Sequence, residues 1–326
     1  MSAAPPTAGA RRARFPQDIP QITELVELCF SESLDYPSRR MLRDVRAVAR
    51  MGPAAWYLSR LLGAVREEEW LLASVWQEGE RVVANANLTR RPGQERAWLL
   101  TNVAVHPGFR RRGIARALVE HAMDSVRAQG GREIYLQVDG ENESAVRIYA
   151  ELGFAEIGRR TAWLRAGGER RPPRTEAPAA CRVSERRSSQ WKQEYALWRE
   201  ISPEGSAWNA PLAEENFRPS LRRWIERTIE GETEKHFLAR CGSRVEAALA
   251  ARSRPSGWEG VLIQREGTRG NVEQGLLQTA WEVFAPEQTV LLEALPEASG
   301  DSLVQLGFRK RRTFLWMRYT FPGGAP

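Results

Sequence analysis

Eleven consecutive residues, Val105-His106-Pro107-Gly108-Phe109-Arg110-Arg111-Arg112-Gly113-Ile114-Ala115, carry the densest chemistry in the chain. An apolar run enters a glycine-bearing loop, and the loop opens onto a helical pattern. The first turn of a helix has backbone N–H groups without partners and the positive end of the helix dipole. Such a terminus captures phosphate where the backbone can be approached closely. Gly113 and Ala115 leave that approach open, while Arg110, Arg111 and Arg112 add positive charge beside it. The chemistry implied is capture of a phosphorylated ligand; the same arginines are equally readable as a solvated charge run. His106, at the end of the apolar run beside Pro107, is of a residue type that can serve as a general base near neutral pH.

The elements that must hold this loop are legible from periodicity. Asp18 is a candidate cap for a helix carrying Ile19, Ile22, Leu25, Val26 and Cys29 at helical spacing. A basic amphipathic stretch covers 38–62. Trp70–Trp76 and Arg81–Leu88, joined through Glu78-Gly79-Glu80, read as a hairpin, and Ala97–Val105 reads as the strand that feeds the loop. Gly113–Gln129 is an amphipathic helix with Ile114, Ala117, Leu118, Ala122 and Val126 on one stripe. A strand at Ile134–Val138, a helix from Asn142 to Glu151 and a strand at Ile157–Arg165 complete the half. Asn142 is a good N-cap and Gly153 a helix stop.

The chain has 326 residues, which predicts two domains. Residues 1–10 read as a disordered leader and 166–180 as a linker rich in Pro and Gly. Residues 11–165 and 181–321 are then the two domains. They share an internal repeat: Leu152-Gly153-Phe154 with Arg159-Arg160-Thr161 and Trp163 is matched by Leu306-Gly307-Phe308 with Arg311-Arg312-Thr313 and Trp316. Neither a membrane-length apolar run nor a basic, apolar leader is present, so a cytoplasmic protein is expected. The net charge of +7 is spread over both halves, against the focused basic face of a nucleic-acid binder. Cys29, Cys181 and Cys241 are sparse and distant in sequence, and are expected to be three reduced thiols with no metal site.

The segment V-x-P-x-x-R-x-x-G-x-A from Val105 to Ala115, followed by Asn142, Tyr149 and Leu152-Gly153-Phe154, resembles the GNAT N-acetyltransferase superfamily. The resemblance covers residues 11–165 and extends more weakly to the second half. It implies an α/β (α+β) fold of two GNAT-like domains, each a mixed, mostly antiparallel sheet with splayed central parallel strands flanked by helices. It implies acetyl-CoA as acyl donor and no metal. The pantetheine would lie between Val103-Ala104-Val105 and Ile134–Val138, pairing with backbone of Val103 and Val105. The pyrophosphate would sit on Arg110, Arg111, Arg112, Gly113, Ile114, Ala115 and Arg116. Asn142 would touch the cofactor, and Tyr149 would lie near the thioester sulfur as proton donor. From the residues alone, Asn142 is equally a plain N-cap, and Tyr149 a buried aromatic whose hydroxyl meets a carbonyl. Where some family members have a glutamate base this chain has Asn102; Glu32, Asp35 or a water chain are the remaining candidates.

The second half departs from the pattern. Pro296 and Leu303 stand where the repeat would place Asn142 and Tyr149, and Gln264-Arg265-Glu266-Gly267-Thr268-Arg269 ends in arginine where Ala115 stands in the first half. The expected function is acetyl-CoA-dependent N-acyl transfer to a primary amine by direct attack on the thioester. The alternative is a non-catalytic acyl-CoA-binding or regulatory tandem protein. The expected partner is a small-molecule or peptide amine, with no nucleic acid and no membrane, in a monomer or homodimer.

Overall fold

A computed structural model describes residues 8–323 except 32–35, 62–71, 92–93, 169–180, 203–213, 223–224, 226–227, 229–230, 255–256, 269, 285–287 and 296–299. The fold is α+β. The chain divides into two compact units that interleave in sequence. The first comprises 1–137, 147–155 and 318–326; the second comprises 138–146 and 156–317.

The first unit opens with β1 (Ala8–Arg12), then α1 (Ile19–Phe30), α2 (Tyr36–Arg50) and α3 (Pro53–Leu61). β2 (Leu72–Glu78), β3 (Arg81–Arg91) and β4 (Gln94–Val105) form an antiparallel meander, with β1 on the outer edge of β2. The expected disordered leader, 1–10, is corrected at its last three residues: Ala8, Gly9 and Ala10 pair with Glu78, Gln77 and Trp76, while 1–7 lie outside the described residues. Small side chains hide a strand from composition, because the ladder is made by backbone. α4 (Ile114–Ala128) packs on β2, β3 and β4 through Ile114, Leu118, Val119, Ala122 and Val126, all buried. Ile19, Ile22 and Val26 of α1 pack with Leu42 and Val45 of α2, Trp56 of α3 and Val75 of β2. Each such side chain contributes roughly 1.5–3 kcal/mol by leaving water. Asp18 does not cap α1 as expected; it accepts from the Arg14 backbone N–H at 2.7 Å and holds the Arg11 guanidinium.

β5 (Glu133–Asp139) runs parallel to β4, and α5 (Glu143–Glu151) follows it. β6 (Ala155–Arg165) was expected to close the first half. It belongs to the second unit, pairing antiparallel with β11 (Thr289–Leu295) from Thr161 opposite Ala294 to Arg165 opposite Val290. The last strand, β12 (Arg309–Thr320), has its final residues in the first unit, where the Phe321 N–H donates to the Arg132 carbonyl at 2.9 Å. The closing segments thus fall in the unit opposite to their half of the sequence, 156–165 in the second and 318–323 in the first, a connectivity that local periodicity does not encode.

The second unit continues with β7 (Cys181–Glu185), α6 (Trp191–Ile201), α7 (Glu214–Phe217), β8 (Glu234–Cys241), β9 (Arg244–Arg254), β10 (Gly257–Gln264), α8 (Gly270–Trp281) and α9 (Gly300–Gln305). Its strands follow the order β12-β6-β11-β10-β9-β8-β7. Trp163 of β6 joins Phe237, Leu249, Leu262, Leu276, Leu277 and Phe308 in one core. Cys181 and Cys241 face each other across β7 and β8 and form a disulfide, which overturns the expectation of three reduced thiols. Sixty residues separate them in sequence, and only strand register brings them together.

Candidate active site

The parallel pairing of β4 and β5 is short. It runs from Ala97 opposite Glu133 to Leu100 opposite Leu136 and stops, although β4 continues to Val105. The edge of Thr101–Val105 that faces β5 is therefore unpaired. On its other edge β4 stays on β3, with a bulge: Asn85 pairs with Ala104 and Asn87 with Thr101, so Asn102 and Val103 together oppose Ala86. Asn102 has φ of 51°, in the left-handed region that asparagine tolerates better than most residues. Asn85 clamps the bulge through its Nδ2, which donates to the Asn102 carbonyl at 3.1 Å. Val103 and Val105 are half-buried and Ala104 is buried.

The loop after β4 is shaped by its own side chains. The His106 Nδ1 accepts from the Gly108 N–H at 3.2 Å, capping the single turn Pro107–Phe109. That gives His106 a structural task. Arg110 donates through Nε to the Val105 carbonyl at 3.1 Å, and the Cys29 thiol lies 3.4 Å from the same oxygen. The Val105 carbonyl, one of the backbone groups expected to be open, thus already accepts from Arg110, because the turning loop brings that side chain back onto the strand end. Arg112 donates to the Gly108 carbonyl at 3.2 Å and lies over the Phe109 ring. Arg116 pairs with Glu151. Arg111 is exposed.

Two residues of this loop have left-handed backbone: Arg111 with φ of 62° and Gly113 with φ of 76°. Gly113 occupies the N-cap of α4, where no side chain caps the helix and no acidic residue stands in the first turn. The N–H groups of the first turn are left for an outside anion. A Cβ at Gly113 would meet nothing within 4 Å, so glycine is required there by backbone conformation rather than by space. An uncapped helix N-terminus with guanidinium groups around it fits a pyrophosphate, which is the test a coenzyme A donor must pass here.

Asn142 caps α5, its Oδ1 accepting from the Ala145 N–H at 3.2 Å and the Ser144 hydroxyl at 3.4 Å. Tyr149, on α5, is buried, and its ring stands edge-on to Phe154 at 5.8 Å. Burial alone pushes its hydroxyl well above the ordinary tyrosine pKa, with no charge or hydrogen bond from the described residues acting on it. The carbonyl partner expected of a purely structural tyrosine is therefore absent among the described residues. Cys29 is likewise pushed up by burial, opposed by Arg110. Glu32 and Asp35 lie outside the described residues. Sequence reasoning missed the Asn102 bulge, the contact of Cys29 with the strand end, and the pairing of Arg116 with Glu151. The first had a signal: asparagine is enriched at positive φ.

The second unit has the corresponding elements without the corresponding openings. β10 and β11 stay paired from Gly257 opposite Thr289 to Ile263 opposite Leu295, so the expected splay is closed there. Glu273 stands in the first turn of α8 and is buried. Arg265, at the loop, pairs with Glu200 and lies 4.0 Å from Glu246. Leu303 is core, and Pro296 and Arg269 lie outside the described residues.

Comparison with known proteins follows this geometry. Residues 24–154 match the Acetyltransferase (GNAT) family. The [ribosomal protein bS18]-alanine N-acetyltransferase of Escherichia coli K12 is 33% identical over 114 residues, spanning 32% of this chain and 74% of that protein. A streptothricin acetyltransferase of Streptomyces lavendulae is 37% identical over 59 residues, spanning 18% of this chain and 31% of that protein. Among solved structures, a GCN5-related N-acetyltransferase from Sphaerobacter thermophilus has a TM-score of 0.58 at 17% identity, covering 97% of this chain and 96% of that one. A tandem GNAT protein from the clavulanic acid biosynthesis pathway has a TM-score of 0.53 at 17% identity, covering 97% and 100%. These two show the fold over both copies of the repeat, while the sequence matches lie in its N-terminal part. With the split strands, the uncapped helix and a relative matched over three-quarters of its length, the chain belongs to the GNAT acetyltransferase family.

Proposed function

We propose that the chain transfers an acetyl group from acetyl-CoA to a primary amine, with one donor site per chain in the first unit. The observation that carries this reading is the end of β4–β5 pairing at Leu100 and Leu136, directly upstream of the left-handed loop and the uncapped α4. A thioester bound there supplies a carbonyl open to attack and a thiolate leaving group. Backbone of Val103 and Ala104 would hold the pantetheine, and the N–H groups of Gly113, Ile114, Ala115 and Arg116 the pyrophosphate. N–H groups along the unpaired edge of β4 support the developing oxyanion. Tyr149, whose protonated form is favoured by burial, donates a hydrogen bond to the departing sulfur. Its raised pKa makes full proton loss unfavourable, so the proton that ends on sulfur is drawn ultimately from the ammonium formed on attack.

The two relatives are named for different acceptors, an alanine of a ribosomal protein and streptothricin, so the shared donor chemistry supports the reading and the acceptor is left as an amine. The closed β10–β11 pair and the carboxylate of Glu273 support a second unit without a donor site of its own. Calorimetry of acetyl-CoA on the full chain tests this. One site is expected, weakened at least tenfold in Gly113→Asp, where a carboxylate would meet the pyrophosphate on strained backbone. Two equal sites, or unchanged affinity in that variant, would overturn it.

A further inference from the structure

At the other end of α4 from the phosphate-shaped loop, the first unit holds a second concentration of positive charge. A cleft of about 460 Å³ is lined by Arg90, Arg96, Gln129, Gly130 and Arg132. The arginines come from three places on neighbouring backbone: the end of β3, the start of β4, and the residue before β5. Among the described residues lining the cleft, three are cationic and none is acidic. α4 separates this cleft from Gly113 by its whole length, about 22 Å at 1.5 Å per residue.

The cleft is built, not incidental. The Arg132 N–H donates to the Arg96 carbonyl at 2.7 Å, which fixes the two main-chain positions that carry those side chains. Arg90 lies over the Trp98 ring at 4.9 Å, its Nη2 donates to the Gln129 Oε1 at 3.3 Å, and its Nε is buried without a partner among the described residues. Gly131 lets the chain pass close to Trp98: a Cβ there would come within 2.8 Å of the indole Nε1 and 2.3 Å of Val126. The turn at Gly130, with φ of 71°, closes the rim. Three guanidinium groups lining one cleft suit an anion with charge on several oxygens, with Arg90 and Arg96 as its main donors. α4 ends here, so the carbonyl end of its dipole favours the arginines but offers no N–H to a ligand; recognition must come from the guanidinium forks and the amide of Gln129.

We propose that this cleft binds a small, multiply charged oxyanion, of the phosphate or polycarboxylate type, at a site separate from the donor site. The inference does not depend on the acetyltransferase reading, because it uses none of the residues assigned to the donor.

The test is a titration of the full, isotope-labelled chain with inorganic pyrophosphate and, in parallel, with citrate, followed by amide chemical shifts. Saturable movement of the Gly130, Gly131 and Arg132 signals is expected with at least one probe. Response to pyrophosphate alone identifies a phosphate site; response to both identifies general oxyanion recognition. Arg96→Gln, on an exposed side chain, should weaken the saturable response at least fivefold, and Gly113→Asp should leave it unchanged. Movement confined to 113–116, or no saturable movement with either probe up to 10-millimolar order, would overturn the proposal. Arg96→Gln retaining full affinity would overturn it as well.

Discussion

The ring of Tyr319, from the end of β12, lies 5.5 Å from the ring of Phe154, which in turn stands edge-on to Tyr149. The same Tyr319 ring would be 3.3 Å from a Cβ at Gly153, so the turn that ends α5 is shaped around it. Phe321 adds a further edge contact to Tyr319 at 5.0 Å, and its N–H anchors on Arg132. The candidate proton donor is thus buttressed by residues some 170 positions away that no reading of the N-terminal half contains.

This sets an expectation for truncation. A chain ending at residue 166 keeps the whole sequence signature yet lacks 318–323, and it leaves β6 without the β11 partner. It is expected to be aggregation-prone and not to bind acetyl-CoA. In the full chain, Tyr319→Ala should cost about 1–3 kcal/mol, because the ring is only partly buried. Thermal melting with acetyl-CoA titration checks both. A soluble 1–166 fragment with full donor affinity would show that the closing segment is dispensable.

The helices and strands around the loop were readable because each carries a strong local signal. Ile114, Leu118, Ala122 and Val126 keep helical period, and Gly130 stops the helix. What was not readable depends on register and long-range pairing. Thr161 opposite Ala294, and Cys181 opposite Cys241, are decided by which strands meet, and no window of residues records that. The departure of the second half from the first is half legible: Leu303 and the extra arginine signal it. The continuous ladder from Gly257 to Ile263 appears only in the fold.

Tyr149 and Tyr135 make the stability alkaline-sensitive. Burial raises both, Tyr135 to about 12, the latter helped by its hydrogen bond to Glu133. In the unfolded chain each ionises near 10. Their contribution is therefore complete below pH 10 and is lost as pH rises through the folded values, at up to about 1.4 kcal/mol per pH unit for each tyrosine. With only three lysines in the chain, few other groups titrate in that window. Chemical denaturation at pH 9, 10 and 11 should show falling stability, with a shallower fall in Tyr149→Phe. At neutral pH that variant should keep its acetyl-CoA affinity and lose roughly 10²-fold in single-turnover transfer. A wild-type single-turnover rate would assign Tyr149 to packing alone.

Asn85 and Asn87 test whether the bulge is kept for chemistry. Both are buried on β3, and the Oδ1 of each has no hydrogen-bond partner among the described residues. An orphaned buried oxygen costs about 1–3 kcal/mol, so a fold selected for stability alone would hold an apolar side chain there. The pair flanks the bulge, Asn85 opposite Ala104 and Asn87 opposite Thr101. Asn85 already anchors the Asn102 carbonyl, which leaves Asn87 as the cleaner test. Asn87→Leu keeps the volume and removes the orphan. The melting temperature should hold or rise by a few degrees, since gaining about 1 kcal/mol shifts a protein of this size by roughly 2–4 °C. Under the proposed reaction the bulge that this pair flanks positions the backbone beside the thioester, so transfer should slow more than acetyl-CoA affinity falls. A fall in melting temperature of more than about 5 °C would mean that the oxygen is satisfied, for example by an ordered water, and that Asn87 is held for structure.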